Sequence, residues 1–288
     1  MHISIAGRLG SGKSTVCRVL GERHGFQVYS TGAIQREIAK ERDVSTLEMN
    51  QLMANDISLD HAIDEATTRL SLEKADTPIL FDSRMAWNFA VNSFKVFVTV
   101  DPLEAAIRVV GDRRGKEEVY ADVEEAKWKL IARGKLENQR FQDIYDVDNL
   151  DYSNYNLVID ATYATPEMLA DVIFEKYQAY CQQGDTTPEI LLDPRSLFPL
   201  EHIGRIDADT ASFPIPVVAF EGYHYIADGH LTVLGAVLHG EPFIDAALVG
   251  METEALHAKL HGLGLSGIHE FEQLGQFHYK SYPQWYFV

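Results

Sequence analysis

The nonapeptide Gly7-Arg8-Leu9-Gly10-Ser11-Gly12-Lys13-Ser14-Thr15 follows an apolar, strand-like start, His2-Ile3-Ser4-Ile5-Ala6, and leads into the helix-like Val16-Cys17-Arg18-Val19-Leu20. A strand, a glycine-rich turn with the spacing Gly-x4-Gly-Lys-Ser, and a helix together form the P-loop pattern. Glycines let the backbone aim successive N–H groups at one anion, and the helix adds the positive end of its dipole. Gly7, Gly10, Ser11, Gly12, Lys13, Ser14 and Thr15 are therefore the candidate polyphosphate-binding residues. On this pattern Lys13 reaches the β- and γ-phosphates of a nucleoside triphosphate, and the Ser14 hydroxyl ligates Mg²⁺.

Around this loop, residues 1–183 alternate strand and helix signals, which implies a parallel sheet covered on both faces. Five strands stand out, at 2–6, 27–29, 79–82, 96–100 and 157–160. After Asp101-Pro102 the apolar residues Leu103, Ala106, Ile107 and Val110 recur at helical spacing and Gly111 stops the run, which predicts one buried helical face. Thr165-Pro166 reads as an N-cap with proline at the first helical position, followed by the stripe Leu169, Val172, Ile173 and Tyr177. The polar stretch 182–188 predicts a linker, with a second, smaller α+β domain over 189–288. Histidine marks the change, since eight of the eleven lie beyond residue 200.

Bulk properties narrow the partners. The 288 residues carry 25 basic and 43 acidic side chains, and a net charge of −18 repels duplex nucleic acid and anionic membrane. No apolar run reaches the length of a membrane span, and the P-loop begins within the first ten residues, so neither a signal peptide nor a membrane partner is expected. Two cysteines, Cys17 and Cys181, are too few for a disulfide framework. A cytoplasmic location is the expectation.

Three clusters separate a kinase from the other P-loop proteins. Tyr29-Ser30-Thr31-Gly32 ends the second strand, with Arg36 about one helical turn later. Asp82-Ser83-Arg84 ends the third strand, where Asp82 is placed to hold Mg²⁺ through water or orient the acceptor, and Arg84 to grip a phosphate bidentately. Arg133, Glu137 and Arg140 recur at steps of four and three, so they share one helical face on which Glu137 holds the arginines in position.

These residues, with Trp87 and Asn156-Leu157-Val158-Ile159-Asp160, resemble the archaeal-type cytidylate kinase-like branch of the nucleoside monophosphate kinases over residues 1 to about 180. The resemblance implies an α/β P-loop kinase with a five-stranded parallel sheet and a helical lid. It also implies ATP and Mg²⁺, and transfer to a nucleoside monophosphate such as CMP or dCMP. It makes Ser30, Arg36, Arg84, Arg133 and Arg140 monophosphate-side residues, and Arg113 and Arg114 lid arginines at the donor phosphates. Ser83 replaces a glycine usual in the branch. Asp60 and Asp64 share a helical face and read either as base-recognising or as structural carboxylates, and Trp87 reads as packing. A nucleotide-bound regulatory switch and a kinase for another small acceptor are the competing readings.

In residues 189–288, Asp228-Gly229-His230 opens a helix and Glu201 precedes it, which resembles the ParB/sulfiredoxin-like fold and its nucleotide or phosphate pocket. The turn continues with Leu231 and Thr232 where that superfamily has a histidine and an arginine. A second catalytic centre, a ligand-sensing or homo-oligomer-forming role, and a purely structural one all stay open. His257, His261 and His269 read as a solvated helix face in preference to a metal site.

Overall fold

The structure, a computed structural model, describes residues 1–32, 57–111, 120–184, 187–201 and 213–263. Strands β1 (His2–Gly7), β2 (Gln27–Ser30), β3 (Ile79–Asp82), β4 (Ser93–Thr99) and β5 (Leu157–Asp160) run parallel in the order β2-β3-β1-β4-β5. Every residue of β1, β3 and β5 is buried. That is the condition that makes a strand an unbroken apolar run, because both of its faces are covered.

Helices α1 (Lys13–His24) and α6 (Pro166–Gln183) cover one face, setting Val16, Leu20, Leu169 and Ile173 on Ile3, Ile5 and Val96. On the other face Trp87, Phe97, Tyr152 and Tyr155 pack together. The expected start of α6 is borne out: the Thr165 side chain accepts from the Met168 N–H at 3.2 Å, and Pro166 follows.

Helix α2 (Ile57–Glu73) and the short α3 (Ala86–Phe89) flank β3. Helix α4 (Pro102–Gly111) buries a different face from the expected one. Ala105 and Ala106 are buried, whereas Ile107 and Val110 are 43% and 39% exposed. The cause is α5 (Val123–Tyr145), which lays Ala126 and Leu130 against the two alanines, so close helix packing takes the small side chains.

The sheet does not end at β5. Strand β6 (Glu189–Leu192) pairs parallel to it, and β7 (Leu197–Pro199), β8 (Ile215–Phe220), β9 (Tyr223–Ile226) and β10 (Ile244–Leu248) continue the same sheet as β6-β10-β8-β9-β7. The expected five-stranded parallel sheet is thus half of a ten-stranded mixed one. Helix α7 (His230–His239) packs Val233 and Leu234 on Ile215, Val217 and Ile226, and α8 (Thr253–Gly262) packs Leu256 and Leu260 on Phe198 and Tyr225.

Polar contacts reinforce this seam. Asp160, at the end of β5, accepts from Thr162 N–H at 2.8 Å and from Asp193 N–H at 3.3 Å, and its other partners are the hydroxyls of Thr162 and Ser196. Tyr152 Oη lies 3.2 Å from Thr99 Oγ1 and 3.0 Å from Nε2 of His224 on β9. Burial pushes the His224 imidazole down to about 3, and the Arg8 guanidinium acts in the same direction, so the ring is neutral at physiological pH.

Candidate active site

The P-loop leaves β1 along β4, where the Arg8 N–H donates to Val98 O at 3.0 Å. Gly10 sits at φ +78° against α4, and a Cβ there would lie 2.8 Å from that of Ala105. Gly12, also at φ +78°, precedes α1 with no side-chain cap, and no atom lies within 4 Å of where its Cβ would stand. Ser11 is 2% exposed, yet its Oγ has no partner among the described residues. A buried hydroxyl without a partner, beside an uncapped helix start and an open space, fits a phosphate oxygen.

Lys13 and Asp82 form an ion pair that joins the start of α1 to the end of β3. Burial pushes the Lys13 ammonium down to about 8, with Arg84 contributing in the same direction. The contacting Asp82 carboxylate favours the charged form. Asp82, expected to hold Mg²⁺ through water, is therefore a lysine partner in this structure. Ser14 is exposed at the helix start, Thr15 is half-buried, and Ser30 stands beside Asp82 as its register partner on β2. The hydroxyl of Ser83 accepts from the Met85 N–H at 3.3 Å.

Two of the expected trio on α5 have partners on other elements. Glu137 reaches across to Arg84, Arg140 pairs with Asp60 of α2, and Arg133 stands exposed. Glu137 thus meets the arginine that follows β3, and Arg140 turns to α2. Along α5, Lys135, Glu137 and Arg140 thus meet three different elements. Arg36, Arg113 and Arg114 lie outside the described residues.

Asp60 and Asp64 are both buried, and Asp64 accepts from the Tyr145 hydroxyl, which favours their structural reading. Trp87 packs as expected, with its indole N–H donating to Asn149 Oδ1 at 2.8 Å. Burial, opposed by the Tyr145 hydrogen bond, raises Asp64 to about 6. The native state then holds a proton that the unfolded chain has released between about pH 4 and 6. Stability from this group is full below that range and lost as the pH rises through it. Asp64→Asn keeps an acceptor for Tyr145 and removes the titration, so its stability relative to wild type is expected to increase from pH 4 to pH 7 in thermal melts. A difference independent of pH contradicts the assignment.

A cavity of about 250 Å³ opens beside the P-loop between Arg8, Arg84, Glu137 and Asn149, and its far wall is Glu221 and Gly222 of the β8–β9 turn. Glu221 Oε1 lies 2.7 Å from Lys135 Nζ of α5. Arg8, Asn149 and this turn are absent from the candidates read off the sequence. Arg8 occupies a variable position of the motif. The only local sign of the turn is Glu221-Gly222 between two apolar runs.

In the second candidate site His230, Asp228 and Glu201 each have a partner within the fold. His230 is 3% exposed, and its Nε2 accepts from the Leu200 N–H at 3.1 Å. Asp228 Oδ1 accepts from the Gly229 N–H, and Glu201 pairs with Lys259 of α8 at 3.0 Å. Among the described residues no cluster of three or more His, Cys, Asp or Glu is arranged to hold a metal, and no helix is long and apolar enough to cross a membrane. His257 lies edge-on to Phe220, and His269 is outside the described residues.

A phosphate-fitting loop at the carboxyl end of β1, facing an arginine at the carboxyl end of β3, defines a P-loop nucleotide-binding fold. The chain belongs to the cytidylate kinase-like family, whose pattern matches residues 2–163. A cytidylate kinase of Thermoplasma volcanium is 31% identical over 195 residues, covering 66% of this chain and 98% of that protein. One from Haloarcula marismortui is 30% identical over 187 residues, covering 64% and 93%. About a third of this chain lies outside each of these matches.

Proposed function

We propose that the chain transfers the γ-phosphoryl group of ATP to a nucleoside monophosphate, with CMP or dCMP the expected acceptor. Family membership supports the reaction class, and one observation carries the reading: Lys13 of the P-loop meets Asp82 two residues before Arg84, so the donor and acceptor cations share one cleft. An oxygen of the acceptor's phosphate bonds to the γ-phosphorus as the bond from that phosphorus to the β,γ-bridging oxygen breaks. The leaving diphosphate keeps the electron pair, and no side chain becomes covalently attached.

The protein's task is positioning and neutralising charge. In this reading Gly7 to Thr15 cradle the donor phosphates, and Arg113 and Arg114 join them from the lid. Ser30, Arg36, Arg84, Arg133 and Arg140 serve the monophosphate. Lys13 and Arg84 each face a carboxylate in the structure, Asp82 and Glu137 respectively. A phosphate dianion of greater charge takes the carboxylate's place, so the cations are held ready without being left unpaired. Ser14 and, through water, Asp82 would hold Mg²⁺, which would supply positive charge to neutralise the donor phosphates. Helix α5 links Arg84 through Glu137 to the cleft's closure, which excludes water from the transfer.

For residues 189–263 we infer a structural role that also completes the cleft. The ParB/sulfiredoxin-like resemblance rests on a turn whose His230 is already engaged by the Leu200 backbone. The cytoplasm is the compartment where such an enzyme meets its nucleotides.

Arg84→Ala is expected to raise the acceptor KM by about 10- to 100-fold, the equivalent of one charged hydrogen-bonding interaction of about 1.5–3 kcal/mol, with the ATP KM changed less than about threefold. Steady-state kinetics with each substrate varied in turn reads this out. An effect confined to the ATP KM contradicts the division of the cleft.

A further inference from the structure

The cleft cations Lys13, Arg84 and Lys135 each face a carboxylate. Arg8 faces none among the described residues. Its backbone is fixed by the bond to Val98 O, and its Nε is buried with no hydrogen-bond partner among the described residues. The side chain nevertheless lines the same cavity as Arg84. Leaving a guanidinium N–H buried and unpaired costs free energy, which an anion entering the cavity would offset.

What holds Arg8 there comes from the other half of the sheet. Glu221 at φ +50° and Gly222 at φ +98° make the two-residue turn between β8 and β9. A Cβ on Gly222 would lie 3.0 Å from Pro102 Cγ and 3.3 Å from Arg8 Nη1, so the missing side chain makes room for the guanidinium. His224, two residues on, is buried and neutral, and adds no competing charge beside it. The Lys135–Glu221 pair fastens the same turn to α5.

We propose that Arg8 is a further catalytic residue, donating to the phosphoryl group in flight, and that the Glu221–Gly222 turn is the positioning element that sets it. This rests on the transfer reading above. Arg8 neither gives up a proton nor forms a covalent bond, and the bonds made and broken are those already described. The C-terminal unit thereby becomes part of the cleft and more than an appendage to it.

The test compares Arg8→Met, Arg8→Lys, Gly222→Ala and the double variant Arg8→Met/Gly222→Ala in the full chain, with circular dichroism confirming the fold of each. Arg8→Met is expected to lower kcat by about 100-fold, the loss that follows removal of one donor to developing charge, with ATP binding changed less than about threefold. Gly222→Ala is expected to lower kcat by about 10-fold, and the double variant to fall no further than Arg8→Met alone, as for two changes acting through one contact. Binding of ADP with aluminium tetrafluoride, a mimic of the phosphoryl in flight, is expected to weaken about 100-fold in Arg8→Met and to be partly recovered in Arg8→Lys. Unchanged kcat and unchanged mimic binding in Arg8→Met overturn the proposal, and additive losses in the double variant overturn the role of the turn. If the wild-type chain transfers to no monophosphate, the functional reading falls while the mimic titration still decides whether Arg8 contacts a phosphoryl group.

Discussion

Lys13→Met is expected to lower kcat by about 100- to 1,000-fold, because it removes a preorganised cation aimed at the charge that develops during transfer. The same substitution leaves the Asp82 carboxylate, whose side chain is 6% exposed, without its partner. Breaking a buried pair from one side costs about 3–5 kcal/mol, so the variant is expected to melt at a lower temperature as well. Activity and stability are then separable. Adding Asp82→Asn removes the stranded charge and is expected to recover most of the lost stability, while restoring none of the turnover. Recovery of transfer in the double variant contradicts the assignment of Lys13 to the phosphates and makes the pair a structural one.

Asp160→Ala is expected to destabilise the protein by about 2–4 kcal/mol. The residue is 1% exposed and satisfies four donors where the two halves of the sheet meet. The two hydroxyls can rotate, and Ser196 Oγ already lies 2.8 Å from Asp193 O. The backbone N–H groups of Thr162 and Asp193 cannot, and each buried donor left unpaired costs about 1–3 kcal/mol. Because β5 and β6 are neighbours in one sheet, protection from hydrogen exchange is expected to fall together in β4–β5 and in β8–β10. Loss confined to β8–β10, with β1–β4 at wild-type protection, shows the C-terminal strands to be an independent unit.

The parallel half of the fold was legible in the sequence because strands buried on both faces carry apolar runs, and the Thr165-Pro166 cap announces its own helix. The P-loop was legible because the chemistry of holding phosphate dictates both its residue types and their spacing. What lay beyond reach depends on pairing across space. Nothing in Glu189-Ile190-Leu191-Leu192 says that this strand docks beside Leu157–Asp160 and not in a sheet of its own. The helical stripe at Leu103 to Val110 was misread because α5 selected the alanines, a choice made by the neighbour and not by the period. The shared face of Arg133, Glu137 and Arg140 was correctly spaced, but its partners, Arg84 and Asp60, belong to elements far away in sequence. Arg8 escaped because the motif leaves its position free, and only the turn at Gly222 gives that position a meaning.

The central claim, that the P-loop and the arginine edge form one cleft for transfer between two nucleotides, is tested most directly by mixing the chain with ATP, Mg²⁺ and, one at a time, CMP, dCMP, UMP or AMP. Both nucleotide products are followed by chromatography. The account predicts ADP and the acceptor's diphosphate in equal amounts, fastest with CMP or dCMP, and little ADP without an acceptor. ADP formed at the same rate with and without every monophosphate contradicts it.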